Sequence, residues 1–310
     1  MLLLPAAIAV LMAAPPESKP LPPITSATTK TIADVTYATV GGEKLQLDLV
    51  LPTTPGPHPT IICFHGGGWV IGNRKDLTYP NIWHPGGRDG NKDLTILQKM
   101  AQRGYAAVTV SYRLAPTHKF PAQIEDAKTA VRFLRTNAKK YDLDPNRFAA
   151  LGFSAGGHIA LMLGLTDKDA GLDGTLYPNV SSKVQCVIDF FGPTDMSLFT
   201  ETAGVEKAFM VPFLGKECLT NPECYRRASP IEYVSKAAPP VLMIHGTLDL
   251  MVPIIHSERL LAKLKDAGAE AELYPVKWKG HGWEGDTAKE TALKANEFLE
   301  KYLLKKEGKK

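Results

Sequence analysis

Cysteine is scarce: the 310 residues hold four, Cys63, Cys186, Cys218 and Cys224. No two form a C-x-x-C pair, which argues against a zinc ribbon or a thioredoxin-type centre, and four are too few for a disulfide scaffold. Cys63 and Cys186 lie inside apolar runs and read as small buried hydrophobes. Cys218 and Cys224 flank the Thr220–Glu223 stretch, where they can either pair or stay as two thiols. Charge of one sign is also lacking. Thirty-six basic and 32 acidic residues leave a formal net charge of +4, which is no footprint for nucleic acid. No internal repeat and no G-X-Y period exists, which excludes solenoids and collagen. No apolar run reaches the ~18 residues that a membrane span needs, so stable membrane insertion is not expected.

What is present is an ordinary globular composition, 44% hydrophobic and 22% charged. Met1–Ala14 is apolar and is followed by small residues and prolines, the pattern of a secretory signal. It lacks a basic start, and Pro15 follows directly. Export to the periplasm or the medium is the expectation; a cytoplasmic protein is the alternative if this segment is not a working signal. Residues 15–32 read as a Pro-rich linker, 33–304 as one domain and Lys305–Lys310 as a basic tail. Val35–Val40 and Leu45–Leu51 alternate about Gly41-Gly42, a hairpin pattern. Apolar runs then alternate with helical patterns. The strand candidates are Thr60–His65, Ala106–Tyr112, Phe148–Phe153, Val184–Phe191, Pro240–His245 and Ala271–Val276. The helix candidates are Asp93–Arg103, Pro121–Tyr141, Ala155–Leu165, Ser257–Ala267 and Asp286–Leu304, the last opening on a Thr287-x-x-Glu290 capping box. Strand alternating with helix predicts an α/β fold with a mostly parallel sheet.

Two motifs end apolar strands. Gly152-Phe-Ser-Ala-Gly156 fits a serine nucleophile raised on a tight strand-to-helix turn, where small neighbours let the chain turn. His65-Gly-Gly-Gly-Trp69 leaves backbone N–H groups free to meet negative charge that develops in acyl transfer. It lacks the spacing of a nucleotide-binding loop. A serine nucleophile needs an imidazole and an orienting carboxylate. His281 follows the last strand candidate, and Asp249 follows Pro240–His245. The order Ser154, Asp249, His281 and their position at the carboxyl ends of strands suit this chemistry. Asp195 is a competing acid. His158, one turn beyond Ser154, reads as structural. His245 and His256 read as structural or site-lining, and His65 as a brace for the glycine loop.

Together with Ser111-Tyr-Arg-Leu-Ala-Pro116 and Asp144-Pro-Asn-Arg147, these motifs resemble the α/β-hydrolases. The likeness is to His-Gly-Gly-Gly carboxylesterases, and within them to secreted bacterial esterases of the BD-FAE type, related to feruloyl and acetyl-xylan esterases. It covers about residues 33–304. The resemblance implies an α/β-hydrolase fold with an eight-stranded, mostly parallel sheet and helices on both faces. It implies an oxyanion hole from the backbone of Gly67, Gly68 and Ala155, and no metal or organic cofactor. The expected activity is hydrolysis of short-chain or aryl esters through an acyl-enzyme, with a small-molecule or polysaccharide ester as substrate. An arylformamidase or oligopeptidase-like amide hydrolase on the same triad is the alternative, and a non-catalytic binding homologue a remoter one. Unlike hormone-sensitive-lipase relatives, the chain has no large N-terminal cap before the glycine loop. It carries instead an inserted stretch, Leu77–Asp93, expected to wall the substrate pocket. Trp69, Trp83 and Tyr112 are the candidate substrate contacts. Residues 197–235, rich in Phe, read as a small lid or as plain packing.

Overall fold

The computed structural model describes residues 28–78, 94–201 and 203–304. The expected signal segment Met1–Ala14 and the tail Lys305–Lys310 lie outside them. Eight strands form one sheet: β1 Thr29–Val40, β2 Glu43–Pro52, β3 His58–Phe64, β4 Ala106–Val110, β5 Leu143–Phe153, β6 Cys186–Phe190, β7 Val241–Gly246 and β8 Ala271–Val276. Their order is β1-β2-β4-β3-β5-β6-β7-β8. β1, β2 and β4 pair antiparallel, and the rest of the sheet is parallel. This is the eight-stranded α/β-hydrolase sheet that the resemblance implies.

The residue patterns account for the layering. Strands β3, β4, β6 and β7 are buried at every position, as strands covered on both faces must be. On one face α2, Ala122–Thr136, lays Ile124, Ala127, Val131 and Leu134 into the core beside α3, Ala155–Leu165. On the other face α1, Ile96–Gln102, and the helix Asp286–Leu299 bury Leu97, Ala101, Ala295 and Phe298. The edge strands β1 and β8 are only partly buried.

Several expected boundaries shift. Thr29–Ile32, taken from sequence as linker, pairs with Leu49–Pro52 inside β1–β2, because an edge strand can extend without an apolar face. α2 stops at Thr136 rather than Tyr141. There the Asn137 side chain donates to Phe133 O at 2.8 Å and closes the last turn. The Thr287/Glu290 capping box does not form. Gly285 precedes that helix without a side-chain cap, and Glu290 instead accepts from the Tyr274 hydroxyl. A reciprocal box forms at α1: Gln98 N–H donates to Thr95 Oγ1 at 3.1 Å, and Thr95 N–H donates to Gln98 Oε1 at 2.9 Å.

One ion pair anchors the segment after β4. Arg113 donates from Nε and Nη2 to buried Asp126 on α2, at 2.8 to 3.0 Å, and its backbone N–H adds a bond at 2.8 Å. Arg113→Ala is expected to lower stability by about 3 kcal/mol or more, because it strands a buried carboxylate. Urea denaturation checks this, and an unchanged midpoint would contradict it.

Candidate active site

The site is assembled at the carboxyl edge of the parallel strands. Phe64 of β3 lies level with Gly152 of β5, so the chain segments beyond them emerge side by side. One is the glycine loop and the other the turn that carries Ser154. Ser154 sits at φ 53°, ψ −120°, between β5 and α3. A non-glycine residue at positive φ is uncommon, and here the neighbours enforce it. A Cβ on Gly152 would stand 2.0 Å from Gly156 O, and one on Gly156 would stand 2.2 Å from Phe64 O. Both glycines are needed because backbone passes where a side chain would be.

Ser154, His281 and Asp249 come together although they are far apart in sequence. The Ser154 hydroxyl lies 2.9 Å from His281 Nε2, and His281 Nδ1 lies 2.7 Å from Asp249 Oδ2. A carboxylate only accepts, so Nδ1 carries the proton and Nε2 is left to accept from the serine. The loops that carry Asp249 and His281 are tied together: Leu248 N–H donates to Lys279 O at 2.9 Å, and Thr247 N–H to Val276 O at 3.0 Å. Asp249 Oδ1 accepts from the N–H groups of Met251 and Val252, each at 2.9 Å. Burial pushes the Asp249 carboxyl up, but the neighbouring His245 and the hydrogen bond from His281 outweigh it and hold the group well below the ordinary carboxylate value.

The competing groups are committed elsewhere. Asp195 pairs with Arg259 at 3.1 Å and accepts from Ser197. His158 is wholly buried; its Nδ1 accepts from Trp69 Nε1 at 3.1 Å and its Nε2 donates to Ala228 O at 2.8 Å. Burial lowers its pKa to about 4. His256 Nδ1 accepts from the N–H of Thr194 and of Asp195, and burial lowers it to about 3. His65 is likewise lowered to about 4 by burial, and its Nδ1 donates to Gly66 O at 2.7 Å. It braces the glycine loop, as expected. His245 lies beneath the site. Its Nε2 donates to Val252 O at 2.7 Å and stands 3.5 Å from Asp249 Oδ2, while its Nδ1 meets the Ser257 hydroxyl at 2.7 Å.

An apolar cavity of about 260 Å³ opens beside Ser154. Gly66, Gly67, Gly68, Ala155 and His281 line it together with Phe191, Phe199, Val205, Phe209 and Met210. Among the described residues no acceptor takes the N–H of Gly67 or Gly68, and Ala155 heads α3, where N–H groups have no helical partner. A Cβ on Gly68 would meet the Phe209 ring at 2.1 Å. Of the candidate substrate contacts, Trp69 lines the cavity, with its indole N–H held by His158. Tyr112 does not line it. Its ring stacks on His65 at 4.3 Å, and its hydroxyl donates to His65 O at 2.9 Å, so it supports the glycine loop from behind. Trp83 and most of the Leu77–Asp93 stretch lie outside the described residues. The 197–235 segment divides: Phe199, Val205, Phe209 and Met210 wall the cavity, whereas Phe213 stacks on Trp69 at 4.2 Å. Cys218 and Cys224 are free thiols. Ile71, Phe191, Met251 and Val252 line the cavity too. They carried no motif, and only the position of Met251 and Val252 just after Asp249 could have pointed to them.

The chain is similar in sequence and in fold to known esterases. The BD-FAE family model matches residues 47–264. Esterase LipC of Mycobacterium tuberculosis is 31% identical over 260 residues, which cover 80% of this chain and 60% of LipC. The chain thus spans about three-fifths of that relative's length. A truncated carbohydrate esterase from gut microbiota superposes with a TM-score of 0.74 at 27% identity, over 89% of this chain and 97% of that one. The propionate-bound esterase Est2 of Thermogutta terrifontis superposes at 0.68 with 26% identity, over 92% and 98%.

Asp189 of β6 is buried next to this centre. Gly192 N–H donates to its Oδ1 at 2.9 Å, and its Oδ2 has no partner among the described residues. Burial raises its pKa from 3.8 to about 7. The native state therefore keeps a proton that the unfolded chain has released between those values. The group's contribution to stability is complete below about pH 4 and is lost as pH rises through about 7, at up to ~1.4 kcal/mol per pH unit. Asp189→Asn keeps the acceptor for Gly192 and removes the titration. The variant is expected to gain stability relative to wild type between pH 5 and pH 8, read from denaturant midpoints. An equal gap at both pH values would contradict this.

Proposed function

The chain belongs to the BD-FAE family of α/β-hydrolases, and from that premise we propose that it is a serine carboxylesterase working through a covalent acyl-enzyme. The observation that carries this reading is the continuous relay from Ser154 through His281 to Asp249, set against N–H groups of the glycine loop that no acceptor takes among the described residues. Ser154 Oγ attacks the ester carbonyl carbon and its proton passes to His281 Nε2. The oxygen that becomes negative is met by the N–H groups of Gly67, Gly68 and Ala155. His281 then returns the proton to the departing alcohol, and Ser154 is left acylated. Water repeats the sequence, with His281 as base, and releases the acid. Asp249 stays ionised and stabilises the imidazolium at each stage.

The cavity supports a short acyl group. It holds about 260 Å³ and is lined by aromatic and aliphatic side chains around one polar corner. Esterase LipC is in keeping with an ester substrate, and the propionate-bound Est2 with an acyl group of that size. Export is part of the reading and rests on the apolar Met1–Ala14 alone. Among the described residues no helix is long and apolar enough to cross a membrane.

Hydrolysis of p-nitrophenyl acetate, butyrate and octanoate tests the proposal, with an aryl formamide as the amide counterpart. Acetate and butyrate are expected to outpace octanoate and the formamide. Ser154→Ala is expected to lower kcat by ~10⁶-fold, and Asp249→Asn by ~10⁴-fold, since the wrong imidazole tautomer is then held. Equal rates for wild type and Ser154→Ala would end the proposal.

A further inference from the structure

Large apolar side chains lie singly on most protein surfaces, so a cluster of them calls for a reason. Among the described residues nine such side chains are exposed. Five of them, Ile71, Leu248, Leu250, Met251 and Trp278, belong to the loops that frame the candidate site. Ile71 and Met251 line the cavity itself. Leu248 and Leu250 flank Asp249 in sequence. Trp278 is carried beside them, because its N–H donates to Thr247 Oγ1 at 2.9 Å while Leu248 N–H reaches Lys279 O at 2.9 Å. Leu250 is 88% exposed and Trp278 80% exposed. Trp278 also sits at φ 61°, a conformation that a bulky residue rarely adopts. Neither packing nor backbone preference accounts for a tryptophan there.

We propose that this rim docks the protein on the apolar surface of an aggregated lipidic ester, so that substrate enters the cavity directly from that phase. This rests on the ester-hydrolase reading and names the physical state of its substrate. Three observations select this occupant. Ile71 and Met251 of this rim are exposed and also line the cavity, so whatever covers the rim there must leave the way in open. A second protein copy seated there would close it, whereas a fluid apolar phase supplies the ester through it. The most exposed aliphatic members, Leu250 and Ile71, offer no flat face to a sugar ring, and among the described residues no carboxylate or amide side chain lines the cavity to bind hydroxyls. Lys277 and Lys279 flank Trp278, which suits an interface that carries anionic headgroups or released fatty acid.

The test uses the full chain in three forms: wild type, Ser154→Ala, and the double variant Leu250→Gln/Trp278→Gln. Flotation with phosphatidylcholine/phosphatidylglycerol vesicles reads docking without chemistry. Ser154→Ala is expected to float with the vesicles, and the double variant to bind about ten-fold more weakly. The double variant is expected to keep p-nitrophenyl acetate hydrolysis within about two-fold of wild type, which also shows that it is folded. On tributyrin, wild type is expected to show an upturn in rate, about three-fold or more, above the solubility limit of the ester, and the double variant to lose it. Failure of Ser154→Ala to float, or equal flotation of the double variant, overturns the docking surface. So does a wild-type dimer that the double variant dissociates, or a double variant impaired on acetylated xylan when wild type binds no vesicles. Loss of the hydrolase reading would appear separately, as no wild-type turnover of soluble p-nitrophenyl acetate.

Discussion

The contact on which the site depends is the passage of backbone against backbone beneath Ser154. Gly156 lies where a Cβ would strike Phe64 O, and Gly152 where one would strike Gly156 O. This approach lets α3 start directly over the ends of β3 and β5. It drives Ser154 into its positive-φ conformation and sets the glycine loop beside the hydroxyl. The buried strands β3 and β5 keep the two chains level, so a loss of packing there would reach the serine before any contact to substrate changed. Strain of this kind costs of order 1–3 kcal/mol and persists only where the surroundings over-determine it.

Buried ionisable groups form a second layer under the first. Burial raises the Asp189 carboxyl to about 7, and its second oxygen has no partner among the described residues. Asp249 stays ionised because two imidazoles and two N–H groups face it. Two carboxyl groups near one site thus shift in opposite directions, set by hydrogen bonding and not by depth alone. His245 stands beside Asp249, 3.5 Å from its Oδ2. Its hydrogen bond to Val252 O also fixes the loop that presents Asp249.

The parts legible in the sequence were those whose chemistry restricts residue type. Ser154, Asp249 and His281 each stood at the end of an apolar run, in an order that the fold requires, and the geometry brings them together. The sheet was legible because fully buried strands must be continuously apolar. The walls of the cavity were not. Phe209 and Val205 come from a stretch of short helical turns with no strong period, and many apolar residues would serve there equally well. Tyr112 was misplaced because a tyrosine near a motif does not reveal which side of the loop its ring takes. The Thr287/Glu290 box failed because Gly285 starts that helix two residues early and Tyr274 takes the glutamate. The apolar rim was invisible for a related reason: Leu248, Leu250 and Trp278 look like core residues until the loops that carry them are folded.

Acyl transfer by this site requires that Ser154 be an activated nucleophile. Reaction of the native protein with a fluorophosphonate, followed by peptide mass spectrometry, tests it most directly. A single stoichiometric phosphonyl adduct on Ser154 is expected, formed slowly when His281 is replaced by Gln and absent from Ser154→Ala. An unlabelled Ser154 in folded protein, or an adduct on another residue, would contradict it.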